Sequence, residues 1–428
     1  MRLHLQRKQA VLAVSRFGLT IALTLTQSAA AFADSPTRRA SAASSGADCS
    51  IADTAIETAS SIRKLSVKKR VPCRLQNKVE VEKYLRATIN KKVPEEHTRS
   101  EGQIYELLGI VPRHYDYLNK IIELYTDQLG GYYDPETAAY TMASWLPPAM
   151  QMSIAVHELT HALQDQHYHL DKLMDESADP SDTLMARSAL VEGDATAVML
   201  DYTRGLSGQG SISKEPSVSS FLMTNITGAM ITSSVSGAPP AMQAMLIFPY
   251  VSGLNFVHQL LKKGGYSEVD RGFERLPQST EEILHPEIYL AGKKSFRALP
   301  PPVLPEDFET SDSKPAFDDR LGEFTMTTLL GTYLPPLEAS AAAAGWGGDR
   351  LVLYRGKQGG ELLLWDTEWD TKKDADEFYG GLKRAYELRF EKPSISGDAE
   401  FEFSDLDIGS IRVAKRDKSV QIVVRGKL

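Results

Sequence analysis

The 428-residue chain has only two cysteines, which excludes a disulfide-built scaffold and any zinc cage made of cysteine alone. It also lacks a basic excess. Lys and Arg number 48 against 56 Asp and Glu, a formal net charge of −8, so a phosphate-binding surface spread over the protein, and with it a nucleic-acid partner, is excluded. No internal repeat of fixed period is present. With 42% hydrophobic and 24% charged residues, the composition excludes disorder throughout and fits two or three packed domains.

Residues 1–33 carry Arg2, Arg7, Lys8 and Arg16 and no acid, then the apolar run Phe17 to Thr26, then Ala31-Phe32-Ala33. This reads as a secretory signal peptide, because an apolar core of about ten residues is too short against the roughly 20 that a spanning helix needs. Phe221 to Ala244 holds too many polar residues for a span, so no transmembrane helix is expected in the mature chain. Removing the leader leaves 44 basic against 56 acidic residues, a clearly acidic protein expected in the periplasm or outside the cell. An oxidising compartment permits a bridge between Cys49 and Cys73; the alternative is two unpaired thiols.

Residues 34–50 are rich in Ser and Ala and read as a flexible leader. From about Ile51 to Gln128 the pattern is helical, with apolar stripes at Val79, Val81, Tyr84, Leu85 and Ile89 and again from Tyr117 to Tyr125. Gly130 to Met142 places aromatic residues around an Asp-Pro-Glu-Thr turn, which is expected to be a β-hairpin whose edge could receive an extended substrate. Helices are expected over Ala149–Asp165, Thr183–Tyr202 and Phe248–Lys263, with a Ser/Gly-rich loop or lid at Gly205–Ser220. Five prolines among acids mark 299–319 as a linker. It separates a mainly helical domain, 51–298, from a small α+β domain, 320–428, so the fold class is α+β. Trp346, Trp365 and Trp369, beside Asp366 and Asp370, read either as strand core or as a peptide or glycan surface.

The chemistry concentrates at His157-Glu158-Leu159-Thr160-His161. Histidines four apart share one helical face and can reach a single metal, with Glu158 beside them. Three fixed letters in five arise by chance about once in a hundred chains. A catalytic zinc needs a third protein ligand and an open position. His167 lies ten residues after His157, but Gln164 stands where a helix-breaking glycine would be needed, and ten helical residues span about 15 Å. Glu192, in Leu190-Val191-Glu192-Gly193-Asp194, sits on the next expected helix and is the favoured third ligand. Gly193 and Ala195 would let the two helices approach closely.

From Gly130 to Tyr202 the chain resembles the zincin metallopeptidases of the gluzincin type, in which H-E-x-x-H is followed by a glutamate ligand on the following helix. The resemblance implies a zinc-dependent peptidase acting on a peptide or protein. His157, His161 and Glu192 would bind Zn2+, and Glu158 would be the general base. Many gluzincins carry an acid four positions after that glutamate, where this chain has Thr196; Asp165 or Asp194 would then orient a histidine. His285, before Pro286, is the first expected oxyanion donor and Tyr250 the second. Two other readings stand beside this one: a non-catalytic envelope binding protein retaining the zincin fold, and a zinc hydrolase of a non-peptide amide.

Overall fold

The computed structural model describes residues 48–92, 95–174, 179–218, 221, 237–292, 296–312 and 314–427. The expected signal peptide and most of the expected leader fall outside these residues. Asp48 to Ser50, assigned above to the leader, instead open a 3-10 turn, Cys49–Ile51, in which the Asp48 carboxylate accepts from Ser50 N at 2.8 Å.

The stretch expected to be all helical contains α1 (Ala52–Arg63), β1 (Cys73–Gln76), α2 (Lys78–Lys92), α3 (Glu95–Leu108) and α4 (Tyr117–Gln128). β1 corrects the helical reading. It follows Val71-Pro72, where proline excludes a preceding α conformation, and Cys73 is bridged to Cys49 with their Cα atoms 5.6 Å apart. Within α2 the stripe is real at Val81, Leu85 and Ile89, while Val79 is exposed.

β2 (Gly131–Asp134) and β3 (Ala139–Ala143) form the expected antiparallel hairpin. Asp134 organises its turn by accepting from Glu136 N and Thr137 Oγ1. β1 pairs in parallel with the far side of β3, so the sheet order is β1-β3-β2 and, of the two hairpin strands, only β2 is an edge.

α5 (Pro148–Tyr168) starts on a proline at its first turn, the position where a missing N–H costs nothing. Every residue from Ile154 to Gln164 is buried, the pattern of a helix enclosed on all sides. α6 (Leu170–Leu173) follows, then α7 (Ser181–Leu206), which is also almost wholly buried. α8 (Pro240–Gly264), α9 (Tyr266–Glu274), α10 (Thr280–Leu284) and α11 (Pro286–Ala291) complete the helical half. Among the described residues, α8 alone is long and apolar enough to cross a membrane, and it packs along α7. A Cβ on Gly193 would lie 2.2 Å from the Gly253 backbone, and one on Gly253 2.0 Å from Ala189 O, so α7 and α8 touch main chain to main chain. Gly193 therefore serves the contact with α8 rather than with α5.

The expected lid is largely pinned. α7 runs to Leu206, Asp201 accepts from Ser211 Oγ and Ile212 N, and His258 Nε2 lies 3.1 Å from Ile212 O. Ser219 and Ser220 fall outside the described residues.

The C-terminal half comprises β4 (Phe317–Asp319), α12 (Gly322–Gly331), α13 (Pro336–Ala343), β5 (Trp346–Arg355), β6 (Glu361–Trp369), α14 (Lys372–Phe390), β7 (Ile395–Ser396), β8 (Glu400–Leu406), β9 (Gly409–Arg416) and β10 (Ser419–Gly426). Its antiparallel sheet has the order β4-β5-β6-β10-β9-β8-β7. The linker boundary at 319 is corrected by β4, which pairs with β5, and by Thr310, which bridges to Gly356. Trp346, Trp365 and Trp369 are fully buried core. Each removes roughly 150–250 Å² from water, about 4–6 kcal/mol of transfer free energy. Ile104, Tyr105, Leu107 and Leu108 of α3 belong to the same core cluster, so the two halves are welded together.

Candidate metal centre

α5 and α7 face each other at the site. His157 Nε2 lies 3.1 Å from Glu192 Oε2, His161 Nε2 lies 3.4 Å from the same oxygen, and the two Nε2 atoms are 3.1 Å apart. One ligand atom from each of the three residues falls within 4.8 Å of the others, and all three side chains are at most 2% exposed.

The hydrogen bonds around the trio decide what can occupy it. Gln164 Nε2 donates to Val191 O and to Asp194, which turns its Oε1 towards His161 Nδ1 at 2.8 Å. His161 is thereby the Nδ1–H tautomer, and its Nε2 aims a lone pair at His157 and Glu192. Two imidazole nitrogens and a carboxylate oxygen gathered at one point suit a cation. These groups fit a zinc ion: two nitrogens and one oxygen, with no fourth His, Cys, Asp or Glu ligand among the described residues.

Behind Gln164 a buried chain of charges fixes the arrangement. Arg63 Nε donates to the Asp194 carboxylate at 2.7 Å, and Arg63 Nη1 to Asp270 at 2.7 Å. Tyr168 OH also donates to Asp270. Burial opposes the Arg63 charge, but Asp194 and Asp270 raise its pKa and keep it ionised. Of the two acids proposed to orient a histidine, Asp194 acts through Gln164. Asp165 is occupied elsewhere, accepting from Tyr133 OH and Leu170 N at the end of α5.

Glu158 is fully buried beside His157, and its Oε2 accepts from Tyr133 N, on β2, at 3.0 Å. The edge strand therefore uses its outward N–H to hold the carboxylate, so at Tyr133 the edge is not open to an added strand. Tyr132 and Tyr133 are buried packing residues, Tyr132 stacking on Tyr84. Tyr140 is buried next to Glu158, and burial and that carboxylate raise its pKa well above the ordinary value.

Tyr250 is brought to the site. Its ring stacks on His157 with centroids 6.2 Å apart, and burial, Glu192 and Glu158 raise its pKa so that the phenol keeps its proton. His285 is not brought there, which corrects its expected role as first oxyanion donor. It caps the C-terminus of α10, and its Nε2 lies 2.9 Å from Glu323 of α12, at the junction of the two halves. His167 ends α5 against Ser66 O at 2.8 Å, far along the helix from the trio. Reading the sequence missed Gln164, Arg63 and the Tyr133 N–H. Gln164 carried a usable signal, since it lies three residues after His161 on the same face.

A family model described as Domain of unknown function (DUF8575) matches residues 312–427. That span is the C-terminal sheet domain and excludes the His157, His161 and Glu192 trio. No curated protein and no solved structure matches the chain.

Proposed function

We propose that this chain is an exported, zinc-dependent metallopeptidase of the gluzincin type. The observation that carries the reading is the convergence of His157 Nε2, His161 Nε2 and Glu192 Oε2 with the Glu158 carboxylate on the adjacent helix position. His157, His161 and Glu192 would hold the zinc, which would supply an acidified water and a Lewis acid for a substrate carbonyl. Glu158 takes the proton from the attacking water and passes it to the leaving amine. Tyr133 N–H keeps that carboxylate oriented. Tyr250, protonated and stacked on His157, donates to the oxyanion that forms as the carbonyl is attacked. Export is supported by the basic and apolar N-terminus together with the Cys49–Cys73 bridge.

The near-complete burial of the three ligands favours a second reading, a chain that keeps the metal without catalysis. Three protein ligands instead of four argue for catalysis, because structural zinc sites are usually closed by four. Zinc stoichiometry and hydrolysis of a mixed peptide library, by wild type and by Glu158→Gln, separate the two. One zinc per chain in both, with cleavage lost by about 10²–10⁴-fold in Glu158→Gln, supports the peptidase. Bound zinc with no cleavage by wild type supports the binding protein.

A further inference from the structure

A cleft of about 450 Å³ opens where the loop after α3, the start of α8 and the C-terminal domain meet. That volume lies within the roughly 300–1,000 Å³ of small-molecule pockets. Two arginines line it from the two halves of the molecule, Arg113 from the loop between α3 and α4 and Arg389 from the last turn of α14. Among the described residues, no acidic side chain lines it. None of its lining residues belongs to the metal centre.

Both guanidiniums have unused donors. Arg389 Nη2 reaches Glu106 O at 3.4 Å, and no carboxylate among the described residues pairs with it. Arg113 Nε lies 3.1 Å from His114 Nε2, and its Nη1 lies 3.5 Å from the exposed carboxylate of Asp407. In both residues Nη1 is buried and makes no hydrogen bond. A buried donor without a partner is costly, so two at one cleft call for something that accepts from them.

The start of α8 adds to the positive field. Ala238, Pro239 and Pro240 border the cleft, and the N-cap Pro239 offers no side-chain acceptor to the first turn. That end of a 25-residue helix carries partial positive charge. The charges then set the ligand: Arg113 shares its charge with Asp407 while Arg389 has no such partner, which leaves room for one negative charge. A carboxylate fits the planar fork of an arginine. Around it the walls are apolar, with Ile110, Val111 and Ala238 beside the ring of Tyr333, whose hydroxyl donates to Gly109 O at 2.8 Å.

We propose that this cleft binds a small apolar monocarboxylate, with the carboxylate on Arg389 and Arg113 and the apolar body against Val111, Ala238 and Tyr333. The site stands apart from the metal centre and does not depend on the peptidase reading.

The test is calorimetry on the full, zinc-loaded chain saturated with acetohydroxamate, so that the metal is occupied and cannot take the probe's carboxylate. Naphthylacetate is compared with naphthylacetamide, which has the same ring and no charge. The acid is expected to bind at about 0.1–1 mM and at least about tenfold more tightly than the amide. Arg389→Met is expected to abolish that preference, and Arg113→Gln to reduce it. Asp407→Asn frees Arg113 and is expected to tighten binding of the acid about two- to fivefold, a gain that a merely structural arginine would not give. If Arg389→Met fails to fold, Arg113→Gln and Asp407→Asn decide. Equal affinity for acid and amide, no binding of the acid up to about 10 mM, or a preference unchanged in the folded variants overturns the proposal and leaves the guanidiniums to water. Inorganic phosphate binding more tightly than naphthylacetate overturns the assignment to a monocarboxylate. Binding seen only without acetohydroxamate places the probe on the metal and overturns it as well.

Discussion

Two buried polar networks lie within this fold, and they differ in how their acceptors are satisfied. At the junction of the halves, Asp182, Asp319 and Asp349 are each at most 4% exposed. Asp349 accepts from Leu321 N, Gly322 N and the indoles of Trp346 and Trp365. Asp319 accepts from Ser181 N, Ser181 Oγ and Arg320 N, and Asp182 from Thr280 N, Thr280 Oγ1 and Arg320 Nε. Each of these three aspartates is surrounded by donors. Around α5 and α7, Arg63, Asp194 and Gln164 form one linked chain, and the inner three turn two imidazole nitrogens and a carboxylate oxygen towards one another. Burial of charge is common to both networks. Convergence of ligand atoms on a shared point is what marks a metal centre.

The contrast breaks most severely at Arg63. Replacing it by Met leaves Asp194 buried without a counter-charge, and a loss of about 3–5 kcal/mol in unfolding free energy is expected, measured by urea titration of the disulfide-intact chain. A stable Arg63→Met protein with unchanged zinc affinity would show that the charge chain does not support the site. Gln164 and Asp165 sharpen the comparison at smaller scale. Gln164→Leu removes the bond that fixes the His161 tautomer and is expected to weaken zinc binding about 10–100-fold. Asp165→Asn, at a carboxylate that accepts from Tyr133 OH and Leu170 N, is expected to leave it unchanged. Competition with a chromogenic chelator reads both.

The junction adds a pH dependence to the comparison. Burial raises Asp319 from 3.8 to about 7. The folded chain therefore holds a proton that the unfolded chain releases, and the stability present below about pH 4 is lost as pH rises towards about 7. Asp319→Asn is expected to flatten this slope, which is at most about 1.4 kcal/mol per pH unit. Unfolding titrations across that range would show an unchanged slope if Asp319 does not hold the proton.

The legible part of the site is the part written in helical periodicity. His157, Glu158 and His161 share a face by spacing alone, and Glu192 could be named because only a second helix could complete the set. Arg63 was not legible, because 131 residues separate it from Asp194 and no local pattern marks the pairing. The donor to Glu158 is a backbone N–H, which any residue at position 133 except proline would supply. His285 was misread because a polar stretch before proline describes a helix end without saying what the end faces. The proline-rich 299–319 segment was misread for a related reason: its last residues join the sheet edge at β4, where a neighbouring proline is tolerated. The α+β class was legible, since periods near 3.6 dominate the first part of the chain and alternation dominates the last.

The most direct test of the metal centre is X-ray absorption at the zinc edge of the purified, zinc-loaded chain. We expect one zinc per chain, nitrogen and oxygen neighbours at about 2.0–2.2 Å, and outer scattering from two imidazoles that is lost in His161→Ala. Sulfur scattering, a third imidazole, or a spectrum unchanged by His161→Ala and Glu192→Ala would contradict a centre built from His157, His161 and Glu192.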